Sequence, residues 1–270
     1  MSKYFKKLLI ISFMSLIVSV IVLPLLYVFI NSFRVNTDYL QHSFTISFTG
    51  FTFENYLFFF RNFQFFDKFF NTFLLTAVSL CILVPLSSFG AFLVSSFGFR
   101  QRKLVVFFFL ACEFLPEIAI IGRIYHFFAR IDMINQPVVV ILLFVIYELP
   151  SSCLICYVFL SNLPKSVLQA SSMDGASFLQ QFIYVILPMS KQCLLVCAVN
   201  SFVEYWNAYM IPQVFLQKDD LQTLVPSLEM LVSLNYFNYT YHMAGVVLLL
   251  IPNLVFLGVS VRAMQTDYFD

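Results

Sequence analysis

The chain has 270 residues, 61% of them hydrophobic and only 11% charged, with a formal net charge of +1 and seven glycines. That is the profile of a chain whose solvent is mostly lipid, which excludes a large soluble domain. The near-zero charge also excludes recognition of nucleic acid through bulk electrostatics.

Crossing the hydrocarbon takes about twenty apolar residues in a helix. Six stretches qualify or come close: residues 8–33, 71–97, 104–122, 137–160, 192–215 and 242–261. The sequence therefore predicts an all-α, polytopic membrane protein, a single transmembrane domain over residues 1–270. Lys3, Lys6 and Lys7 precede the first stretch as they would a signal peptide, but its apolar run is too long and lacks a small-residue cleavage site, so it is read as a retained span. Residues 34–70 are too long for a tight turn. With Phe58-Phe59-Phe60 and a Phe-rich run at 63–70, they suit an amphipathic helix lying on the interface; an external loop packed on a partner chain suits them as well.

The third span is interrupted by Pro116, Glu117 and Arg123. Pro116 removes a backbone hydrogen bond and kinks a helix, and Glu113 and Glu117 flank it. A kinked, carboxylate-bearing helix can gate a path; alternatively a carboxylate pairs with Arg123 or with an arginine of a partner. Pro24, Pro85, Pro150, Pro212 and Pro252 interrupt other spans, as is tolerated where helices line a cavity or repack. Glu148 falls near the middle of the fourth span.

Between the fourth and fifth spans stand Leu163-Pro164-Lys165, then Gln169-Ala170-Ser171-Ser172-Met173-Asp174-Gly175-Ala176, then Ile186-Leu187-Pro188. Pro164 is placed to open a helix, Asp174-Gly175 to end or bend it, and Pro188 to mark the return into lipid. This loop, residues 163–188, is predicted as helix, turn, helix. In the fifth span, Asn200, Glu204 and Asn207 are spaced i, i+4, i+7 on one face, with Tyr205 and Trp206 beside them. At about 1.5 Å per residue, Glu204 lies roughly 20 Å past Lys191, so Glu113, Glu117, Glu148 and Glu204 sit from the midplane outward. An ionisable group in hydrocarbon is costly unless paired, protonated or facing water, and so marks a candidate site. Amides and carboxylates that satisfy hydroxyls, beside an aromatic ring, suit a carbohydrate. The same stripe also suits hydrogen bonding across helices to a second subunit.

Orientation follows the positive charges. Lys3, Lys6, Lys7, Arg100, Arg102, Lys103, Lys165, Lys191 and Arg262 fall on one side against Asp174, Asp267 and Asp270. On the other, Arg34, Arg61, Lys68, Arg123, Arg130 and Lys218 are matched or outnumbered by Asp38, Glu54, Asp67, Asp132, Asp219, Asp220 and Glu229. Both termini and the 163–188 loop are thus placed in the cytoplasm. No phosphate-cradling Gly-x-x-x-x-Gly-Lys-Ser/Thr pattern occurs. His42, His126 and His242 are far apart, so no residues support an enzyme reading. Cys81, Cys112, Cys153, Cys156, Cys193 and Cys197 all lie in or beside spans; they read as small apolar packing residues, and no metal site is assigned.

The loop motif resembles the EAA loop of ABC-importer permeases, in which Glu-Ala-Ala, three residues, Gly, and a later Ile-x-Leu-Pro form short helices that dock on an ATPase subunit. The family's Glu is Gln169 here and its second Ala is Ser171, which weakens a charge-based contact but keeps size and turn chemistry. Phe51-Thr52-Phe53-Glu54-Asn55-Tyr56 and Trp206-Asn207 are similar to segments of the carbohydrate, maltose-type branch. The resemblance implies a bacterial inner-membrane permease subunit for a sugar or oligosaccharide, working by alternating access. Its implied partners are a second permease, an ATPase dimer carrying ATP and Mg, and an extracytoplasmic solute-binding protein; no cofactor is expected in this chain. On this resemblance Gln169, Ala170, Ser171, Met173, Asp174, Gly175, Ala176 and Pro188 would couple to the ATPase. Candidates for the substrate path are Asn200, Glu204, Trp206, Asn207, Glu113, Glu117 and Glu148. A proton-coupled carrier using the intramembrane glutamates is the alternative, and it has no need for the docking loop. A membrane scaffold is a third reading, which would show polar residues without a water-accessible cavity.

Overall fold

The computed structural model describes residues 3–43, 50–96, 99–233 and 238–266. The predicted end of the second span at Phe97, the acidic Asp267 and Asp270, and the side chains of Lys3, Lys6 and Lys165 lie outside what is described. Among the described residues every regular element is helical, apart from an isolated bridge between Arg34 and Phe51. In chain order these are α1 (Lys3–Asn31), α2 (Asn36–Gln41), α3 (Glu54–Arg61), α4 (Phe65–Ser96), α5 (Phe99–Glu113), α6 (Glu117–Arg130), α7 (Pro137–Ser161), α8 (Lys165–Met173) and α9 (Phe178–Gln181). A π-helical turn at Phe182–Ile186 leads into α10 (Leu187–Met189) and α11 (Lys191–Trp206). Then come α12 (Met210–Phe215), a 3-10 turn at Asp219–Leu221, α13 (Leu224–Ser233) and α14 (Tyr239–Thr266).

Four stretches are long and apolar enough to cross a membrane: Lys7–Asn31, Phe65–Ser96, Pro137–Ser161 and Tyr239–Met264. Two bent pairs bring the number to six if each counts as one span: Arg100–Glu113 with Glu117–Arg130, bent by 89°, and Phe178–Met189 with Lys191–Trp206, bent by 77°. The predicted 104–122 span thus runs through a sharp break. Pro116 cannot donate to the carbonyl of Cys112, and its ring pushes Leu115 out of the helical region. The predicted 192–215 span likewise ends early, at Trp206. Continuing it would need an N–H at residue 212, which is proline, and Asn207 instead caps α11 with its backbone N–H on Val203. Pro24, Pro85, Pro150 and Pro252, by contrast, lie inside helices that run on through them.

The chain divides into two compact units, Met1–Phe66 with Ser227–Pro252 and Asp67–Pro226 with Asn253–Asp270. The first is organised by a buried cation. Arg34, fully buried, bonds Asp38 through Nη2 at 2.7 Å and Nε at 2.8 Å, and Asn31 through Nη1 at 2.9 Å. Asn55 sends its side-chain amide to the carbonyls of Ser32 (2.7 Å) and Arg34 (2.9 Å), satisfying backbone groups just past the end of α1. The Ser32 and Tyr56 hydroxyls lie 2.6 Å apart; burial raises the Tyr56 phenol above its ordinary value, while this bond works to lower it. The described residues between 34 and 61 therefore include two short helices, α2 and α3, tied to the end of α1. Gly245 on α14 is needed for close packing, since a Cβ there would clash with Leu228 and with Phe59.

The second unit holds the core. Leu75, Leu83, Val139, Val140, Leu143 and Phe144 are buried with Ile121, Phe128, Tyr205 and Phe215 in one cluster. Asn135, at a left-handed φ of 63°, accepts from the backbone N–H of Gln217 (2.7 Å) and Lys218 (3.1 Å), fixing the chain just past α12.

Candidate functional site

Two features of the second unit bear on function: the 163–188 loop and a polar cavity. The loop forms a helix, a tight turn and a second helix. At the end of α8, Gly175 adopts a left-handed φ of 80°, its N–H bonds Ser172, and the Ala176 N–H bonds Ser171. That is a helix stop which a glycine adopts without cost. Two residues on, Ser177 and Gln180 form a reciprocal capping box that starts α9. The Gln181 amide reaches Ser172 Oγ at 2.9 Å and the Ala176 carbonyl at 3.2 Å, clasping the two helices together. Gln169, Ala170, Met173, Asp174 and Gly175 are exposed, Met173 by 88%, whereas Ser171 is buried with its hydroxyl on the Leu168 carbonyl. Pro188 is exposed on α10, one residue before Met189 and two before the buried Ser190, where the 77° bend occurs.

The inner face of the loop grips α4. Phe178 stacks on Phe92 with centroids 4.4 Å apart, and Phe182 meets Phe89 at 5.0 Å. Phe182 and Ile186 enter a second buried cluster with Ala91, Phe92, Cys156, Leu160, Cys193 and Cys197. The loop is thus packed against α4 and the α7–α11 pair.

Helices α7 and α11 run antiparallel, joined along one face of each at i, i+4 spacing. Tyr205 stacks on Phe144 (4.7 Å) and donates to the Phe144 carbonyl at 2.8 Å. Glu148 Oε1 accepts from the Asn200 amide at 2.9 Å and the Ser201 hydroxyl at 3.4 Å. The Ser152 and Ser201 hydroxyls lie 3.2 Å apart, and the Cys156 and Cys197 sulfurs 3.4 Å apart. Small residues let the helices approach, and the polar groups satisfy one another across the seam. The sulfurs of Cys156, Cys193 and Cys197 lie within 4.8 Å of one another. The trio joins two helices, Cys156 from α7 and Cys193 and Cys197 from α11. Their neighbours are the apolar Phe92, Leu160, Phe182 and Ile186.

Where this seam ends, a cavity of about 410 Å³ opens, lined by residues of α6, α7, α11, the Asn207–Tyr209 turn and α12. Three carboxylates, Glu117, Glu148 and Glu204, line it with the phenols Tyr147, Tyr205 and Tyr209. The break after Trp206 exposes Asn207 and Tyr209 to this space, and the break at Pro116 starts α6 with Glu117. Glu117 Oε1 and the Tyr147 hydroxyl are buried atoms with no hydrogen-bond partner among the described residues.

The sequence candidates therefore separate. Glu117, Glu148, Glu204 and Asn207 meet in the cavity. Asn200, on the same helix, is committed to Glu148. Asn207 is divided: it lines the cavity, yet its amide bonds the Val203 carbonyl at 2.7 Å and its carbonyl accepts from Asn253 at 3.3 Å. Trp206 is buried against Phe202 (5.5 Å, stacked) and Phe69 (5.4 Å, edge-on) and is not among the lining residues. It is Tyr205 that reaches the cavity. Glu113 is exposed on the other side of the Pro116 break and does not line it. No ion pair joins Glu113 or Glu117 to Arg123 among the described residues. Tyr147 and Tyr209 were not singled out from sequence; their signal, a phenol next to an intramembrane Glu and one beside a helix break, shows only once the helices are placed.

The family described as binding-protein-dependent transport system inner membrane component matches residues 64–266. The chain is 24% identical over 238 residues to the diacetylchitobiose uptake system permease protein NgcG of Streptomyces coelicolor, covering 87% of this chain and 78% of that protein. It is likewise 24% identical over 234 residues to the arabinooligosaccharides transport system permease protein AraQ of Halalkalibacterium halodurans, covering 86% and 83%. In fold it is similar to a chain in the crystal structure of a bacterial ABC transporter involved in the import of the acidic polysaccharide alginate. The TM-score is 0.72 at 18% identity, over 100% of this chain and 99% of that one.

Proposed function

The chain belongs to the family of binding-protein-dependent transport system inner membrane components, and as such is a multi-pass protein of the cytoplasmic membrane; from that premise we propose that it is a permease subunit of an ATP-driven importer for a sugar or oligosaccharide. It crosses the membrane six times, counting each bent pair as one span, with both termini in the cytoplasm, and acts as one permease domain with a second permease around a shared path. A solute-binding protein delivers cargo from outside. Two copies of an ATPase subunit, which carry ATP and Mg, bind at the 163–188 loop. The sugar class is supported by relatives named for the uptake of diacetylchitobiose and arabinooligosaccharides.

The observation that carries the coupling role is the construction of the loop. A glycine stop and a capping box hold two short helices in a fixed angle, with Met173, Leu179 and Tyr184 exposed on the outside and Phe178 and Phe182 stacked on α4 on the inside. Such a lever is rigid enough to transmit a push. ATP-driven closure of the ATPases moves the loop, the aromatic contact carries the motion to α4, and the shared cluster carries it to α7 and α11, whose far ends border the cavity. Alternating access of that cavity moves cargo, and hydrolysis resets it.

Purification of the tagged chain in mild detergent, with mass spectrometry of what accompanies it, tests this reading. Recovery of an ATPase and a second permease, with glycan uptake that depends on ATP, is the expected result. Recovery of the chain alone, transporting in liposomes without ATP, overturns it in favour of a proton-coupled carrier.

A further inference from the structure

The cavity carries information about its cargo that the family does not. Its lining holds three carboxylates and three phenols, and no lysine, arginine or histidine. Two of its polar atoms, Glu117 Oε1 and the Tyr147 hydroxyl, are buried and unpartnered among the described residues. A buried polar atom without a partner is costly, and both residues line a space large enough for sugar units. Glu148 makes a contrast within the same wall, since its carboxylate is already held by Asn200 and Ser201.

We propose that this cavity takes a glycan bearing hydroxyl or ammonium groups and no acidic groups, and that Glu117 and Tyr147 are the residues that meet it. This rests on the glycan-permease reading above. Both side chains line the cavity, and when cargo enters they turn their buried polar atoms toward it: a sugar hydroxyl or ammonium donates to the Glu117 carboxylate, and a second hydroxyl exchanges a hydrogen bond with Tyr147. An acidic glycan brings carboxylates against carboxylates with no lysine, arginine or histidine among the described lining residues to compensate, a repulsion that works as a filter. Discrimination by leaving such groups unpaired or opposed is stronger than discrimination by shape alone. Alginate, the cargo of the importer that shares this fold, falls in the excluded class. Glu204 and Tyr209, exposed at the cavity edge, widen the carboxylate and phenol surface that approaching cargo meets.

The test uses cells carrying the complete transporter and a matched strain lacking this chain, supplied with neutral, ammonium-bearing and carboxylate-bearing oligosaccharides. Uptake dependent on this chain is expected for neutral or ammonium-bearing members and is expected to be at least about 100-fold lower for acidic ones. With whichever cargo enters, Glu117→Gln and Tyr147→Phe are expected to lower uptake about 5- to 20-fold. Abundance in the membrane and co-purifying partners should stay within about twofold, a separation that a structural role would not give. Chain-dependent uptake of an acidic glycan overturns the proposal. So does unchanged uptake in both variants, or a loss of uptake that only tracks loss of the assembled complex. Failure of every glycan class to enter instead refutes the glycan-permease reading itself, so the two failures are told apart.

Discussion

Arg34 and Glu117 are both ionisable groups in an apolar chain, and the structure treats them in opposite ways. The Arg34 guanidinium is fully buried and bonded to Asp38 and Asn31, while Asn55 takes up the Arg34 and Ser32 carbonyls. One oxygen of Glu117 is buried beside a cavity with no partner among the described residues. The difference separates two uses of polarity in a membrane protein. A satisfied buried ion fixes one arrangement of helices, and breaking it leaves an uncompensated charge. An unsatisfied one, on the proposal above, keeps bonding capacity in reserve for cargo.

That contrast gives graded expectations. The largest effect is at the satisfied site: Arg34→Leu strands Asp38 and is expected to cost on the order of 2–4 kcal/mol, read as a several-fold fall in chain abundance in membranes. Normal abundance would break the contrast. Next, Gly175→Leu forces a branched side chain into a left-handed backbone at a cost of about 1–2 kcal/mol. No neighbour would obstruct a Cβ there, so the chain is expected to stay in the membrane while uptake is lost; retained uptake would remove the loop from the mechanism. Asn55→Ala removes two hydrogen bonds to the carbonyls past α1, worth about 1–3 kcal/mol together, and thermal unfolding in detergent should register it at an earlier temperature. Glu204→Ala is expected to change cargo uptake with assembly intact. Loss of the assembled complex would instead assign Glu204 to packing. The smallest effect on stability belongs to the unsatisfied site: Glu117→Gln should shift unfolding by no more than about 0.5 kcal/mol, and a large loss would show that Glu117 is structural after all.

Much of this fold is legible in the sequence because lipid imposes a simple rule: long apolar runs become helices. Four spans emerge directly, and the loop's Asp174-Gly175 and Leu-Pro signals yield the helix, turn and helix that the structure contains. What fails is the continuity of two spans. Hydropathy does not distinguish the tolerated Pro85 or Pro150 from Pro116, at which the chain turns by 89°, because the outcome depends on whether neighbouring helices hold the interrupted one straight. Those same breaks make the cavity, which is why the site was only half legible. Glu117, Glu148 and Glu204 stand out as charges in an apolar run, whereas Tyr147 and Tyr209 look like ordinary membrane aromatics. Trp206 misled for a related reason: its place beside the polar stripe suggests a sugar platform, but it is buried between Phe202 and Phe69. The Arg34 knot escaped as well, since in sequence Arg34 is one more charge in an external loop.

The proposed mechanism turns on contact between the 163–188 loop and an ATPase. A photo-reactive side chain installed at position 173, the 88% exposed tip of α8, and activated in intact cells tests it directly when the adduct is identified by mass spectrometry. A covalent product with an ATPase subunit is the expected result. A product with lipid, or with an extracytoplasmic solute-binding protein, would contradict it.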